Sequence, residues 1–239
     1  MTDQTEYYSK IIKVLRRAEK RNLFTLVGEL NEQEVDDPPF TASLLDSYSL
    51  PFDIWLGSVS DAMYPKALKN HNIVAIVNVA AGQCAEIQRI EGIAGNGSQW
   101  ERIEFCEEWY KLNCNVSSFQ YLAIPAEDHP KYKIENDFNT VIDFFNNIRS
   151  NKEEQRQGVL IHCVQGLNRS AAVSVALLMK VKSISALEAI ELIAAKRPGI
   201  LTNRAFVKKL IAYEQSLAPP VDVEDRTRKV FSIGNIVER

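Results

Sequence analysis

Nine consecutive residues, His162-Cys163-Val164-Gln165-Gly166-Leu167-Asn168-Arg169-Ser170, hold a thiol and a guanidinium with five residues between them and a glycine midway. The apolar run Gly158-Val159-Leu160-Ile161 leads into them and a helical pattern from Ala171 to Lys180 leads out. A strand, a tight loop and a helix are therefore expected in immediate succession. Such a loop aims successive backbone N–H groups at one spot, and the helix N-terminus adds its positive end, so the segment reads as an anion site. Gly166 is expected to take the tight, partly left-handed turn. Arg169 offers a planar fork for two phosphate oxygens, and Cys163 lies where the same positive field favours thiolate over thiol.

The rest of the chain reads as strands alternating with helices, then a helix-rich end. Residues 5–22 carry Tyr8, Ile11, Ile12, Leu15 and Ala18 at helical spacing, and Val35-Asp36-Asp37-Pro38-Pro39 breaks that pattern. From Ile134 a second helical face is formed by Phe138, Val141, Phe145 and Ile148. Further helices are expected at 170–181, at 185–196 with Ser185 and Glu188 as a capping box and Pro198 closing it, and at 203–217. This order calls for an α/β fold: a central mixed, mainly parallel sheet flanked by helices on both faces, with an N-terminal helical extension. The active site would sit at the carboxyl ends of the strands. The expected division is an N-terminal helical extension and linker over 1–48, a catalytic domain over 49–218 and an extended C-terminal tail over 219–239.

The nine-residue stretch resembles the His-Cys-x5-Arg-Ser/Thr signature of the cysteine-dependent protein tyrosine phosphatase superfamily, and the chain from about Pro51 to Leu217 is most similar to its dual-specificity branch. Ile54-Trp55-Leu56-Gly57-Ser58 resembles the family's opening strand, and Ile73 to Val79 the strand and asparagine that follow. Tyr121-Leu122-Ala123-Ile124-Pro125-Ala126-Glu127-Asp128 is similar to the strand ending in the general-acid aspartate. Asn203-Arg204-Ala205-Phe206 and Tyr213-Glu214 resemble the family's closing elements. The chain departs from the pattern in two places. Asn168 stands where many members have serine, as it also does in the related RNA 5′-triphosphatases, and the 80–118 connection is longer than usual.

The resemblance implies hydrolysis through a phosphocysteine. Cys163 would attack phosphorus, against the alternative of a buried structural thiol. Arg169, unless it is a surface ion-pairing residue, would neutralise charge growing on the phosphoryl oxygens, and residues Val164, Gln165, Gly166, Leu167 and Asn168 would bind the phosphate with it. His162 would orient the loop and help lower the thiol pKa, or be a core histidine. Ser170 would donate to the departing sulfur, or cap the helix. Asp128, 35 residues before Cys163, would be the general acid; Glu127 or His129 are the alternatives, with Asp128 capping the following helix. Asn203 would brace the loops or cap its helix.

Composition bears on partners. A net charge of −3 and a pI near 5.8 argue against general nucleic-acid binding. No window approaches a membrane span, and Met1-Thr2-Asp3-Gln4 does not open a signal peptide. Cys84, Cys106, Cys114 and Cys163 fit neither a disulfide framework nor a zinc pattern, so a reducing compartment is expected, cytoplasmic or nuclear, with no metal and no cofactor. The expected substrates are phosphoproteins bearing phosphotyrosine, phosphoserine or phosphothreonine, in a signalling role, because no aromatic recognition string for a deep tyrosine pocket is present. A phosphoinositide phosphatase, an RNA 5′-triphosphatase and a non-catalytic phosphoprotein-binding scaffold are the competing readings. The loop carries no lysine for a polyanionic headgroup, and the intact Cys163, Arg169 and Asp128 weigh against the scaffold. Oligomeric state is not encoded in these features.

Overall fold

A computed structural model describes residues 2–26, 40–90, 99–148 and 156–217. The expected breaker at 35–39 and the tail at 219–239 lie outside the described residues. The main sheet has five strands, β1 (Ser43–Asp46), β2 (Asp53–Gly57), β3 (Ile73–Asn78), β6 (Gln120–Ala123) and β7 (Gly158–His162), in the order β1-β2-β7-β3-β6. Only β1 runs antiparallel; β2, β7, β3 and β6 are mutually parallel, so the sheet is mixed and mainly parallel as expected. β1 lies inside the stretch expected to be extension and linker, so the sheet begins before residue 49. The central strands β3 and β7 are buried at every residue, the pattern of parallel strands covered on both faces.

Successive side chains of β7 divide between two cores. Val159 and Ile161 join Ile54, Leu56, Ala75 and Val77 beneath α5 (Phe138–Asn147) and α6 (Arg169–Lys182), whereas Leu160 joins Ile73 and Ile76 on the opposite face. The first face is the larger, with α7 (Ala186–Lys196) and α8 (Arg204–Ser216) packed beyond α6. Helix α6 is buried from Arg169 to Met179, since it is wrapped by neighbours on nearly all sides. The expected helical face of Phe138, Val141 and Phe145 is buried, but a 3₁₀ turn over Ile134–Asp137 precedes the α-helix. The capping box at α7 forms, with Ser185 Oγ accepting from the Glu188 N–H at 3.2 Å and the Glu188 carboxylate accepting from the Ser185 N–H at 2.8 Å.

Helix α1 (Thr2–Leu26) docks on α7 and α8 through Ile11 and Leu15, both buried. Burial of each such side chain contributes about 1.5–3 kcal/mol. The Tyr7 hydroxyl donates to the Glu214 carboxylate at 2.9 Å and accepts from the Leu187 N–H at 3.1 Å. Burial, with the Glu214 carboxylate adding to it, pushes the phenol up to about 12.

Short helices α2 (Val59–Ala62) and α3 (Pro65–Asn70) and helix α4 (Glu107–Cys114) cover the second face. The long 80–118 connection supplies α4 and a separate antiparallel ribbon of β4 (Ala85–Ile90) and β5 (Gln99–Glu104). Tyr110 of α4 is fully buried and stacks on Phe119 with ring centroids 5.0 Å apart, while Trp109 meets Phe105 edge-on at 4.9 Å. These aromatics of the connection therefore complete a core. Among the described residues no helix is long and apolar enough to cross a membrane.

Candidate active site

The loop between β7 and α6 is held from behind. Val164 O accepts from the Val59 N–H at 3.1 Å and Leu167 O from the Leu201 N–H at 2.8 Å. Between them, Gln165 O and Gly166 O accept from Arg197 Nη2 at 3.2 Å and Nε at 2.8 Å. In a planar trans peptide the carbonyl and the following N–H point in opposite directions. Four carbonyls tied behind the loop thus turn the N–H groups of residues 165–168 toward the cleft. Gly166 has a φ of +72°, and a side chain there would overlap both the Gly57 carbonyl and the Arg197 guanidinium. Arg197 also reaches Thr41 O with Nη1 at 2.9 Å, which ties the residues before β1 to the loop.

Cys163 lies at the floor, only 2% exposed. Burial works to raise its pKa, but the Ser170 hydroxyl at 3.2 Å from Sγ, the Ser170 N–H, the Arg169 charge and the Gly166 N–H at 3.2 Å together outweigh it, and the thiol is shifted below its usual value of 9.0. Cys84, 3% exposed and in the same cluster, lacks those donors, so burial pushes it up to about 11. Ser170 is not the helix cap: that position falls on Asn168, and the Ser170 side chain is aimed at sulfur. His162 is fully buried, its pKa pushed down to about 4 by burial, with Nδ1 3.3 Å from the Cys163 carbonyl oxygen. The ring therefore meets the main chain of the loop at Cys163, and the donors that reach the sulfur itself are Ser170 and Gly166.

Arg169 is 4% exposed and therefore no surface ion-pairing residue. Its Nη1 donates to Gln83 Oε1 at 2.7 Å and to Ala126 O at 3.0 Å, while Nε is buried without a partner. Gln83 also donates to Ala126 O at 3.3 Å. The turn after β3 thereby links the guanidinium to the segment carrying Asp128.

Asp128 does not cap the following helix. Its Oδ2 accepts from Asn168 Nδ2 at 2.8 Å and its Oδ1 from Asn203 Nδ2 at 3.0 Å. Asn203 occupies the N-cap position of α8 without capping it through its side chain. His129 instead accepts from the Lys131 N–H with Nδ1 at 3.2 Å. A cleft of about 300 Å³ is lined by Gln83, Asp128, Cys163, Val164, Gln165, Asn168 and Arg169, so Asp128 shares the cleft with the sulfur, and Glu127 and His129 are not among its lining residues. Among the described residues no three His, Cys, Asp or Glu side chains gather as a metal site.

Of these residues, Gln83 and Arg197 carry no signal in the sequence. Each acts across more than 30 residues on a partner that only the fold brings near, and Arg197 grips backbone carbonyls, which have no sequence identity.

A thiol acidified by loop donors, a guanidinium and a carboxyl group thus line one cleft. Residues 54–216 match the family described as "Dual specificity phosphatase, catalytic domain", and the chain belongs to that family. It is 30% identical over 176 residues to dual specificity protein phosphatase 1-A of Xenopus laevis, an alignment covering 73% of this chain and 39% of that protein. It is 35% identical over 105 residues to human dual specificity protein phosphatase 14, covering 44% and 51%. The chain thus spans about two fifths to half the length of these relatives. The fold is similar to the crystal structure of human DUSP28, with a TM-score of 0.52 at 21% identity, covering 75% of this chain and 96% of that one. The phosphatase domain of Yvh1 from Chaetomium thermophilum is similar at a TM-score of 0.52 and 18% identity, covering 76% and 99%.

Proposed function

We propose that this chain hydrolyses phosphoprotein monoesters, on tyrosine and on serine or threonine, through a phosphocysteine. The observation that carries this reading is the Cys163 sulfur, acidified by Ser170, Arg169 and Gly166 in a cleft that Asp128 also lines. The Cys163 thiolate attacks phosphorus in line, and the bond from phosphorus to the leaving oxygen breaks. The loop N–H groups and Arg169 hold the phosphoryl oxygens, stabilising the charge they gain. The leaving oxygen takes its proton from the Asp128 carboxyl. Water then attacks the phosphocysteine and passes a proton to Asp128, while the Ser170 hydroxyl stabilises the departing thiolate.

Among the described residues, the cleft lining contains one cation, Arg169, which suits a single phosphate on a peptide better than a multiply phosphorylated headgroup. A reducing compartment, the cytoplasm or nucleus, would keep the thiolate available. We take 49–218 with the added strand β1 as the catalytic unit and α1 as a brace upon it. The test is turnover of para-nitrophenyl phosphate and of a phosphopeptide panel by the full chain and by Cys163→Ser. The substitution is expected to abolish turnover and to preserve tungstate or phosphate binding, because the loop donors and Arg169 remain. Turnover surviving in the variant would remove the phosphocysteine mechanism.

A further inference from the structure

The side chain of Asn168 forms no part of the reaction just described, yet it makes three hydrogen bonds at the cleft rim. Its Oδ1 accepts from the Asn203 backbone N–H at 3.0 Å and from the Thr202 hydroxyl at 3.0 Å, and its Nδ2 donates to Asp128 Oδ2 at 2.8 Å. The orientation of this amide follows from chemistry. A backbone N–H can only donate, so the oxygen must face Asn203 and the NH₂ must face Asp128. The Asp128 oxygens are acceptors in both contacts, so the arrangement is self-consistent. Asn203 Nδ2 closes the ring on Asp128 Oδ1 at 3.0 Å. Asp128 itself is exposed and projects from a loop whose following residues, 129–131, are exposed as well. Nothing in that stretch could fix a side chain by burial. The two amides, delivered from the nucleophile loop and from the start of α8, supply the fixing.

We infer that Asn168 is a positioning residue for the general acid: its amide, oriented by Thr202 and Asn203, holds the Asp128 carboxyl over Cys163 before any substrate arrives. The nucleophile loop thereby carries its own register mark for the proton donor, one residue before the arginine that grips the phosphate. Each Asp128 oxygen has two lone pairs and gives one to an amide, which leaves a site on the carboxyl group for the proton that the leaving oxygen receives. The benefit falls on substrates whose leaving oxygen cannot depart unprotonated, as with serine and threonine esters. The inference rests on Asp128 being the acid.

The two ideas separate in one experiment on the full chain. Turnover of para-nitrophenyl phosphate and of phenyl phosphate, together with inhibition by tungstate, is measured for the wild type, Asn168→Ala, Asp128→Asn and the double variant. Asn168→Ala is expected to lower kcat about tenfold more on phenyl phosphate than on para-nitrophenyl phosphate, the scale of one hydrogen bond to a charged group. KM and tungstate inhibition should shift no more than about twofold. In the double variant the substitution at 168 should add no further leaving-group dependence, since the group it positions is gone. An equal loss on both substrates in Asn168→Ala, with Asp128→Asn still selective, would overturn the inference and leave the acid assignment standing. Equal losses in Asp128→Asn would overturn the assignment itself. Weakened tungstate inhibition in Asn168→Ala would place the amide in the phosphate site and so also overturn the inference.

Discussion

The nucleophile loop and the acid loop meet over the same cleft and are built on opposite plans. Residues 163–169 sit between a fully buried strand and a buried helix, and their carbonyls are bound from behind by Val59, Arg197 and Leu201. Residues 127–131 are exposed and gain order from side-chain amides and from the Gln83 and Arg169 contacts to Ala126. One loop is set by backbone geometry, the other by side-chain chemistry. Substitutions behind the first should therefore alter phosphate binding and thiol acidity together, whereas those around the second should alter only proton delivery.

The largest effect concerns thiol reactivity. Cys163 titrates below 9.0, while Cys84 and Cys114 are pushed up to about 11 by burial. At pH 7 the thiolate fraction of Cys163 should exceed theirs by at least about a hundredfold. Iodoacetamide labelling followed by peptide mapping checks this, and comparable rates at the three sites would mean that the loop donors do not set the acidity.

Next comes a stability effect at His162. Its folded pKa of about 4 lies below its ordinary 6.5, so the unfolded chain binds more protons between those values. The contribution is fully present above pH 6.5 and is lost as pH falls toward 4, by about 3 kcal/mol in all. Urea unfolding at several pH values should show a shallower decline in His162→Asn than in the wild type. Matching slopes would place the proton elsewhere.

The smallest of the three tests the Arg197 anchor behind the nucleophile loop. Arg197→Met removes the donors to Gln165 O and Gly166 O and should weaken phosphate or tungstate binding about tenfold, from the loss of about 1.4 kcal/mol of loop preorganisation. The ratio of phenyl to para-nitrophenyl phosphate turnover should hardly change. A change in that ratio would show that the two loops are not independently built.

The same contrast explains what the sequence made legible. The nucleophile loop is local: a strand, a glycine at its turn, an arginine and a helix are contiguous, and Cys163, Gly166, Arg169 and Ser170 stand together because they are neighbours in the chain. The mixed sheet and the pattern of α5 follow from periodicity in the same way. Asp128 was legible through its resemblance to a loop motif, but what holds it was not, because Asn168 and Asn203 reach it across 40 and 75 residues. Gln83 and Arg197 stayed invisible for that reason. The β1 strand was absorbed into a linker because four residues of modest apolarity, two of them buried, carry little period-two signal.

The anchoring of the Cys163 loop also orders events during synthesis. The loop's own residues are complete at Asn168, but Arg197 and Leu201, which bind three of its four rear carbonyls, emerge about 30 residues later. A nascent chain that has reached the end of α6 possesses the whole signature and lacks the groups that bind three of its four rear carbonyls. Anion affinity therefore arrives late, with the docking of α7 and the turn beyond it, so a chain that stalls before that point carries its reactive thiol without a competent site around it.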